Sequence, residues 1–312
     1  MPSSQKSQNL LATILIILLL ILAYSSNVFT GPFKDTKVVL YNPLQEAFNI
    51  ESSFNFVFNS NKLAKIVSDN LLGKEGHFAI YIEDLIDGEI YGFNQKDIFT
   101  SASLYKLYVL AAVLKEIEEG SIELDDILSA RKKYLIERLG DTDFGYESAP
   151  STVRYPIEEA LERVGRISDN FAAIMLIDKV SMDEVQAMAK YIGTSSTDLD
   201  ELRTSAEDTA LYFKKLHLKQ IVSETVSEEI EKYLLLNQLN NRIPALLPEN
   251  TKVVHKTGEL SRLRHDGGIV YLEGRPYIIV ILSDDLKYED EAVEVLAEIS
   301  KDVYAYFKNK AK

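Results

Sequence analysis

The feature that most constrains this fold is the placement of its strand-like and helix-like segments along the chain. Strand character lies at both ends, and helical periodicity fills the space between. Near the front, residues 78–82 and 89–93 read as strands joined by a turn at Asp87-Gly88, a hairpin. Near the end, residues 252–255, 268–272 and 277–282 read as strands, with Glu273-Gly274 as a turn. A helix over 61–72 precedes the first hairpin, and one over 289–307 closes the chain. Between them, helical patterns run from Ser103 to about Asn237, broken by a polar loop at 140–154. Strands from the two ends belong to one sheet, so the helical middle is an insertion. The expected architecture is α/β plus all-α: an antiparallel sheet flanked by N- and C-terminal helices, with a helical lobe inserted. The α/β lobe is expected over about 53–100 and 245–312, and the helical lobe over about 101–244. An active site belongs at the interface of the two lobes, where pockets concentrate.

Composition narrows the classes. At 312 residues and 46% hydrophobic content, the chain can bury the core of one large domain or two interleaved lobes. The net charge of −14, with no stripe of Lys and Arg, argues against nucleic acid. The absence of cysteine removes disulfides, thiolate metal sites and a lipid-modified cysteine anchor. The four histidines stand at no metal-ligand spacing, so no metal and no cofactor is expected.

The first 30 residues carry an address. Residues 10–23 are apolar except for Thr13, follow Lys6 with no acidic residue before them, and give way to Ser25-Ser26-Asn27. The run is shorter than the roughly 20 residues of a full membrane span, so 1–30 reads as a signal peptide or an N-terminal membrane anchor. Either reading puts the catalytic part outside the cytoplasm, periplasmic or extracellular; the second attaches it to the cytoplasmic membrane through residues 10–24. A linker follows over 31–52, and the catalytic domain occupies 53–312.

Three short motifs stand in order: Ser103-Leu104-Tyr105-Lys106, Ser168-Asp169-Asn170 and Lys256-Thr257-Gly258. Singly they mean little. Ser-x-x-Lys recurs at Ser3 to Lys6 and at Ser129 to Lys132, and Ser-Asp-Asn recurs at Ser68-Asp69-Asn70. Context separates the copies. Ser103 opens an apolar helical run, which puts its hydroxyl and the Lys106 amine one turn apart on one face. A serine hydroxyl is a weak nucleophile, and a lysine that burial keeps partly neutral can serve as its base. Ser168 can pass a proton to a leaving nitrogen, and Asn170 can hold a substrate amide, while the same residues suit a helix N-cap. Lys256 and Thr257, on a strand ending in Gly258, offer a cation and a hydroxyl to a carboxylate. The N–H groups of Ser103 and Glu259 then suit an oxyanion hole. Arg264 is a second candidate carboxylate contact, and His255 reads as a strand residue.

The trio, its order and its setting resemble the class A β-lactamase family and the wider penicillin-binding serine hydrolases, over most of the chain from about Ala79 to the last helix. The resemblance implies Ser103 as acylated nucleophile, Lys106 as acylation base, Ser168 as proton shuttle, Asn170 as substrate ligand, and Lys256 and Thr257 as carboxylate contacts. Two departures stand out. Class A enzymes carry a deacylating Glu, followed three residues later by Leu-Asn, between the second and third motifs, and this chain has none. Only the short segment 193–203 lies before Thr204-Ser205-Ala206-Glu207, which reads as a capping box; Glu201 in that segment is the candidate replacement. The other departure is Glu259, where the family has a small or hydroxylic residue. The leading expectation is a monomeric hydrolase that opens β-lactams through a Ser103 acyl-enzyme. A D-alanyl-D-alanine peptidase of the cell wall with slow deacylation, and a non-catalytic ligand-binding domain on the same fold, are the alternatives.

Overall fold

The structure, a computed structural model, describes residues 61–140 and 151–311. The expected leader, anchor and linker lie outside the described residues, as does the start of the polar loop after Gly140. Among the described residues, no helix is long and apolar enough to cross a membrane.

In chain order the elements are α1 (Asn61–Leu71), β1 (His77–Asp84), β2 (Ile90–Phe93), β3 (Phe99–Thr100), a 3-10 turn (Ala102–Tyr105), α2 (Lys106–Glu118), β4 (Ile127–Arg131) and α3 (Lys132–Arg138). There follow β5 (Thr152–Pro156), α4 (Ile157–Ile167), α5 (Asn170–Val180), α6 (Met182–Ile192), β6 (Arg203–Thr204), α7 (Ala206–His217) and α8 (Glu224–Leu235). The chain closes with β7 (Lys252–Leu260), β8 (Leu263–Tyr271), β9 (Tyr277–Asp284) and α9 (Glu289–Lys310).

The main sheet has the order β2-β1-β9-β8-β7 and is antiparallel throughout. Its central joint pairs the front of the chain with the end, from His77 opposite Asp284 to Asp84 opposite Tyr277. Strand β9 is buried on both faces because its side chains alternate between two cores. Ile278, Val280 and Leu282 join the core shared with the helical insertion. Tyr277, Ile279 and Ile281 face the core closed by α1 and α9. Each such aliphatic side chain contributes about 1.5–3 kcal/mol on burial, which makes β9 the spine of the fold. Helix α2 is the counterpart on the other side. Residues 106–114 are all buried, the pattern of a helix enclosed on every face.

The strands run further than their apolar centres suggest. Strand β7 continues through Gly258 to Leu260, and β8 begins at Leu263, so Arg264 and His265 lie on a strand. Backbone pairing carries the ladder past the apolar residues, to a tight turn in which Arg262 takes a φ of 59°. The polar loop expected at 140–154 also overlaps a strand, because β5 pairs with β4 as an exposed ribbon. Such a ribbon has no apolar alternation strong enough to read.

Candidate active site

The turn that carries Ser103, the candidate nucleophile, is built at the entrance to α2. Ala102 holds a left-handed φ of 44°, a conformation that costs a residue with a side chain about 1–2 kcal/mol. The surroundings hold it there. The Ser101 N–H donates to Leu202 O at 2.6 Å, and the neutral His265 ring donates from Nε2 to Thr100 O at 2.9 Å. The other ring nitrogen, Nδ1, accepts from the Ser283 N–H at 3.1 Å, which fixes the tautomer. Burial pushes the His265 pKa down to about 4, so the ring stays neutral at physiological pH. Ser103 is half-buried, and its Oγ lies 3.2 Å from Lys106 Nζ.

Ser168-Asp169-Asn170 forms the junction of two helices. Helix α4 buries Ile157, Ala160, Leu161 and Val164 at helical spacing and carries Glu158 and Glu159 in its first turn. It ends at Ser168, which takes the left-handed φ of 56°. The N-cap of α5 is Asp169, whose Oδ1 accepts from Ala172 N at 3.0 Å, and Arg163 holds its other oxygen at 2.8 Å. Thus the cap falls one residue after Ser168 and leaves the Ser168 hydroxyl free to face the amines. Asn170, the first residue of α5, turns its Oδ1 to Lys106 Nζ at 2.6 Å.

The third wall is β7, the edge of the main sheet. A Cβ built on Gly258 would stand 3.3 Å from the Ala102 Cβ and 3.2 Å from the His265 ring, so the bare glycine lets the strand lie against the nucleophile turn. Lys256 and Thr257 are both buried, and Lys256 Nζ donates to Ser168 Oγ at 2.8 Å and to Thr257 O at 3.0 Å.

Two amines therefore bracket one hydroxyl. Lys106 Nζ is 3.2 Å from Ser168 Oγ, and Lys256 reaches the same atom from the other side. Lys106 is fully buried, and its pKa is well below the ordinary lysine value, first through desolvation and then through the charge of Lys256. As a neutral amine it has two N–H groups for its two shortest partners, Asn170 Oδ1 and Ser168 O at 2.5 Å. Its lone pair then remains for the Ser103 hydroxyl. Burial lowers Lys256 to about 7, opposed by Asp266 and assisted by Arg242.

The remaining expected residues are arranged differently. Glu201 is exposed, and its carboxylate pairs with Arg203 at 3.5 Å; none of its hydrogen bonds reaches Ser103 or Lys106. The loop around it is closed by its own bonds. Buried Asp208 accepts from Ser195 N at 3.2 Å, Ser196 N at 2.7 Å and Thr197 Oγ1 at 2.9 Å. The expected capping box is shifted by one residue: Ser205 caps α7 by accepting from Asp208 N at 3.1 Å, and the acid at the third helical position serves the loop instead. The short ladder β3–β6 then ties this loop to the segment leading into Ser103. Arg264 also lacks a free guanidinium. It pairs with Glu289 and donates to Leu260 O and Leu263 O, each at 2.7 Å. Glu259 is exposed and pairs with Arg242, a fully buried residue outside every periodic segment that sequence reasoning passed over. Nothing marks Arg242 locally except a lone cation in the irregular stretch after α8. His255 sits in the strand as expected and is buried against Asp266 at 2.9 Å.

A serine one turn from a desolvated lysine, a second serine between two amines, and a Lys-Thr-Gly edge strand define a serine hydrolase of the Ser-x-x-Lys type. A model of the β-lactamase enzyme family matches residues 60–307. The extended-spectrum β-lactamase PER-1 of Pseudomonas aeruginosa is 24% identical over 282 residues, spanning 82% of this chain and 90% of the relative. The solved structure of PBP-A superposes with a TM-score of 0.70 at 23% identity, covering 80% of this chain and 97% of that one. A β-lactamase from Sphaerobacter thermophilus DSM 20745 superposes with a TM-score of 0.68 at 21% identity, covering 78% of this chain and 94% of its own. The chain belongs to the β-lactamase enzyme family, as a class A-like serine hydrolase with the α/β plus helical architecture.

Proposed function

We propose that the protein opens β-lactam rings through an acyl-enzyme on Ser103, with Lys106 as the base of both half-reactions. The observation that carries this reading is the Lys106 amine, fully buried yet 3.2 Å from the Ser103 hydroxyl. In acylation, Lys106 takes the Ser103 proton as Oγ bonds to the ring carbonyl carbon. The N–H groups of Ser103 and Glu259 receive the oxyanion. The carbon–nitrogen bond of the ring then breaks, and the proton passes from Lys106 through Ser168 to the ring nitrogen. Asn170 holds the substrate's amide side chain, and Lys256 and Thr257 meet its carboxylate. Arg264, committed to Glu289, has no free donor fork to offer that carboxylate.

Lys106 is neutral again after that transfer. It can then deprotonate the water that releases the product, a role that Glu201, exposed and paired with Arg203, is poorly placed to fill. The same exposure favours slow release, the property of a penicillin-sensitive D-alanyl peptidase, as the second reading. The trio is complete within one chain, which supports a monomeric enzyme. The apolar run at 10–24 supports export, with the catalytic part outside the cytoplasm, and a signal-peptidase processing assay on the expressed chain tests that.

The function is tested by incubating the full chain with a chromogenic β-lactam and following both turnover and intact mass. Sustained turnover that disappears in Ser103→Ala is expected. A long-lived adduct on Ser103 without turnover moves the protein to the peptidase reading. No adduct and no turnover would overturn β-lactam recognition.

A further inference from the structure

Beside the carboxylate position, the side chains of Arg242 and Glu259 form an ion pair that takes no part in the chemistry above. Arg242 is 1% exposed, whereas its partner Glu259 is 58% exposed. A buried guanidinium needs a counter-charge, and Glu259 reaches in from the rim to supply it. The guanidinium also lies level with the third motif. Its NH1 donates at 3.5 Å to His265 O, and His265 is the register partner of Gly258, next to Thr257. Its Nε is buried with no partner, which leaves a spare donor in the same place. The second oxygen of Glu259 stands 4.0 Å from Arg264, whose own fork is already filled by Glu289. Glu259 is thus the only carboxylate among the described residues that pairs with Arg242, and it lies on the strand that offers Lys256 and Thr257, two residues after Thr257.

We infer that Glu259 is a specificity-determining residue: a built-in carboxylate that occupies Arg242, the cation beside the third motif, and competes for it with the substrate's own carboxylate. This deepens the β-lactam reading and rests on it. A substrate with a free carboxylate beside its scissile amide must approach a like charge and displace it from Arg242. A substrate whose carboxylate is masked meets no such competitor. Glu259 therefore narrows the advantage that the Lys256 and Thr257 contacts give a free acid over its neutral ester.

The test uses full-length chain, wild type and Glu259→Gln, with a chromogenic cephalosporin as the free acid and as its methyl ester. Gln keeps an oxygen acceptor for Arg242, and Glu273→Gln, at the exposed turn between β8 and β9, controls for net charge. In Glu259→Gln the acylation rate for the free acid is expected to rise about tenfold, with the ester changed less than about twofold. Equal changes on acid and ester, or a fall on the acid, would overturn the inference. If no chain forms an adduct with either compound, the acyl-enzyme reading fails, and sulfate titration decides the inference separately. Sulfate is then expected to raise the thermal midpoint of Glu259→Gln more than that of wild type or Glu273→Gln. Equal shifts would overturn it.

Discussion

The nucleophile pocket and the segment 193–203 handle charge in opposite ways. In the pocket, two lysines are driven out of water and held against neutral oxygens, so their pKa values fall. At the segment, Asp208 of the following helix α7 is buried and bonded to it, while the segment's own Asp200 and Glu201 stay in water. Reactivity follows desolvation with an unfilled valence. Desolvation favours the neutral form of Lys106, whose lone pair can then serve the hydroxyl beside it, whereas Asp208 spends its oxygens on backbone and hydroxyl donors, and Glu201 keeps its hydration.

Removing the pocket's base breaks the comparison most severely. Lys106→Met is expected to slow Ser103 acylation by about 10²–10⁴-fold while the midpoint of unfolding holds or rises, because a methionine fills the cavity without desolvating an amine. Intact-mass kinetics and calorimetry on the same samples check both halves. A parallel loss of stability would mean that the lysine is structural. Next in size is Asp208→Ala, expected to cost about 2–4 kcal/mol in denaturant unfolding, since it leaves buried N–H groups without an acceptor. Acylation should fall with it, because the segment braces Ser101 through Leu202.

Titration sharpens the pocket side. With Lys256 lowered to about 7, kcat/KM for an anionic β-lactam is expected to decline above about pH 7, as the cation that meets the carboxylate is lost. The linked effect on stability has the opposite slope. Between about 7 and the ordinary lysine value of 10.5, the unfolded chain binds a proton that the folded one does not, so this group makes stability rise with pH across that window. A flat kcat/KM profile from pH 6 to 9 would remove Lys256 as a carboxylate contact. The smallest effect belongs to Glu201→Gln, expected to change turnover by less than about twofold, as for a solvated loop acid. A loss of deacylation with acylation intact would reverse the contrast and make Glu201 the water-activating base.

The sequence made the architecture legible wherever burial is two-sided or periodic. The continuous apolar run of β9 and the enclosed helix α2 both announce themselves, and the order of elements implies the insertion. Three motifs located the walls of the pocket because their chemistry is carried by side chains at short spacing. What was not legible depends on partners distant in sequence. Asp208 is one more acid at the start of a helix until Ser195, Ser196 and Thr197 are folded against it. Arg264 reads as a free hairpin cation until Glu289 is placed beside it. Arg242 has no periodic neighbours at all, and only its 1% exposure singles it out.

The pairing of β1 with β9 has a consequence for synthesis. His77 and Asp284 are 207 positions apart, and β7, which completes the pocket, can dock only on β8, itself held by β9. The pocket therefore cannot assemble on a growing chain until β9 has emerged. Contacts of such long range fold slowly. Until β9 docks, the nascent chain carries open strand edges, and the three walls of the pocket come together only as its last strands pair.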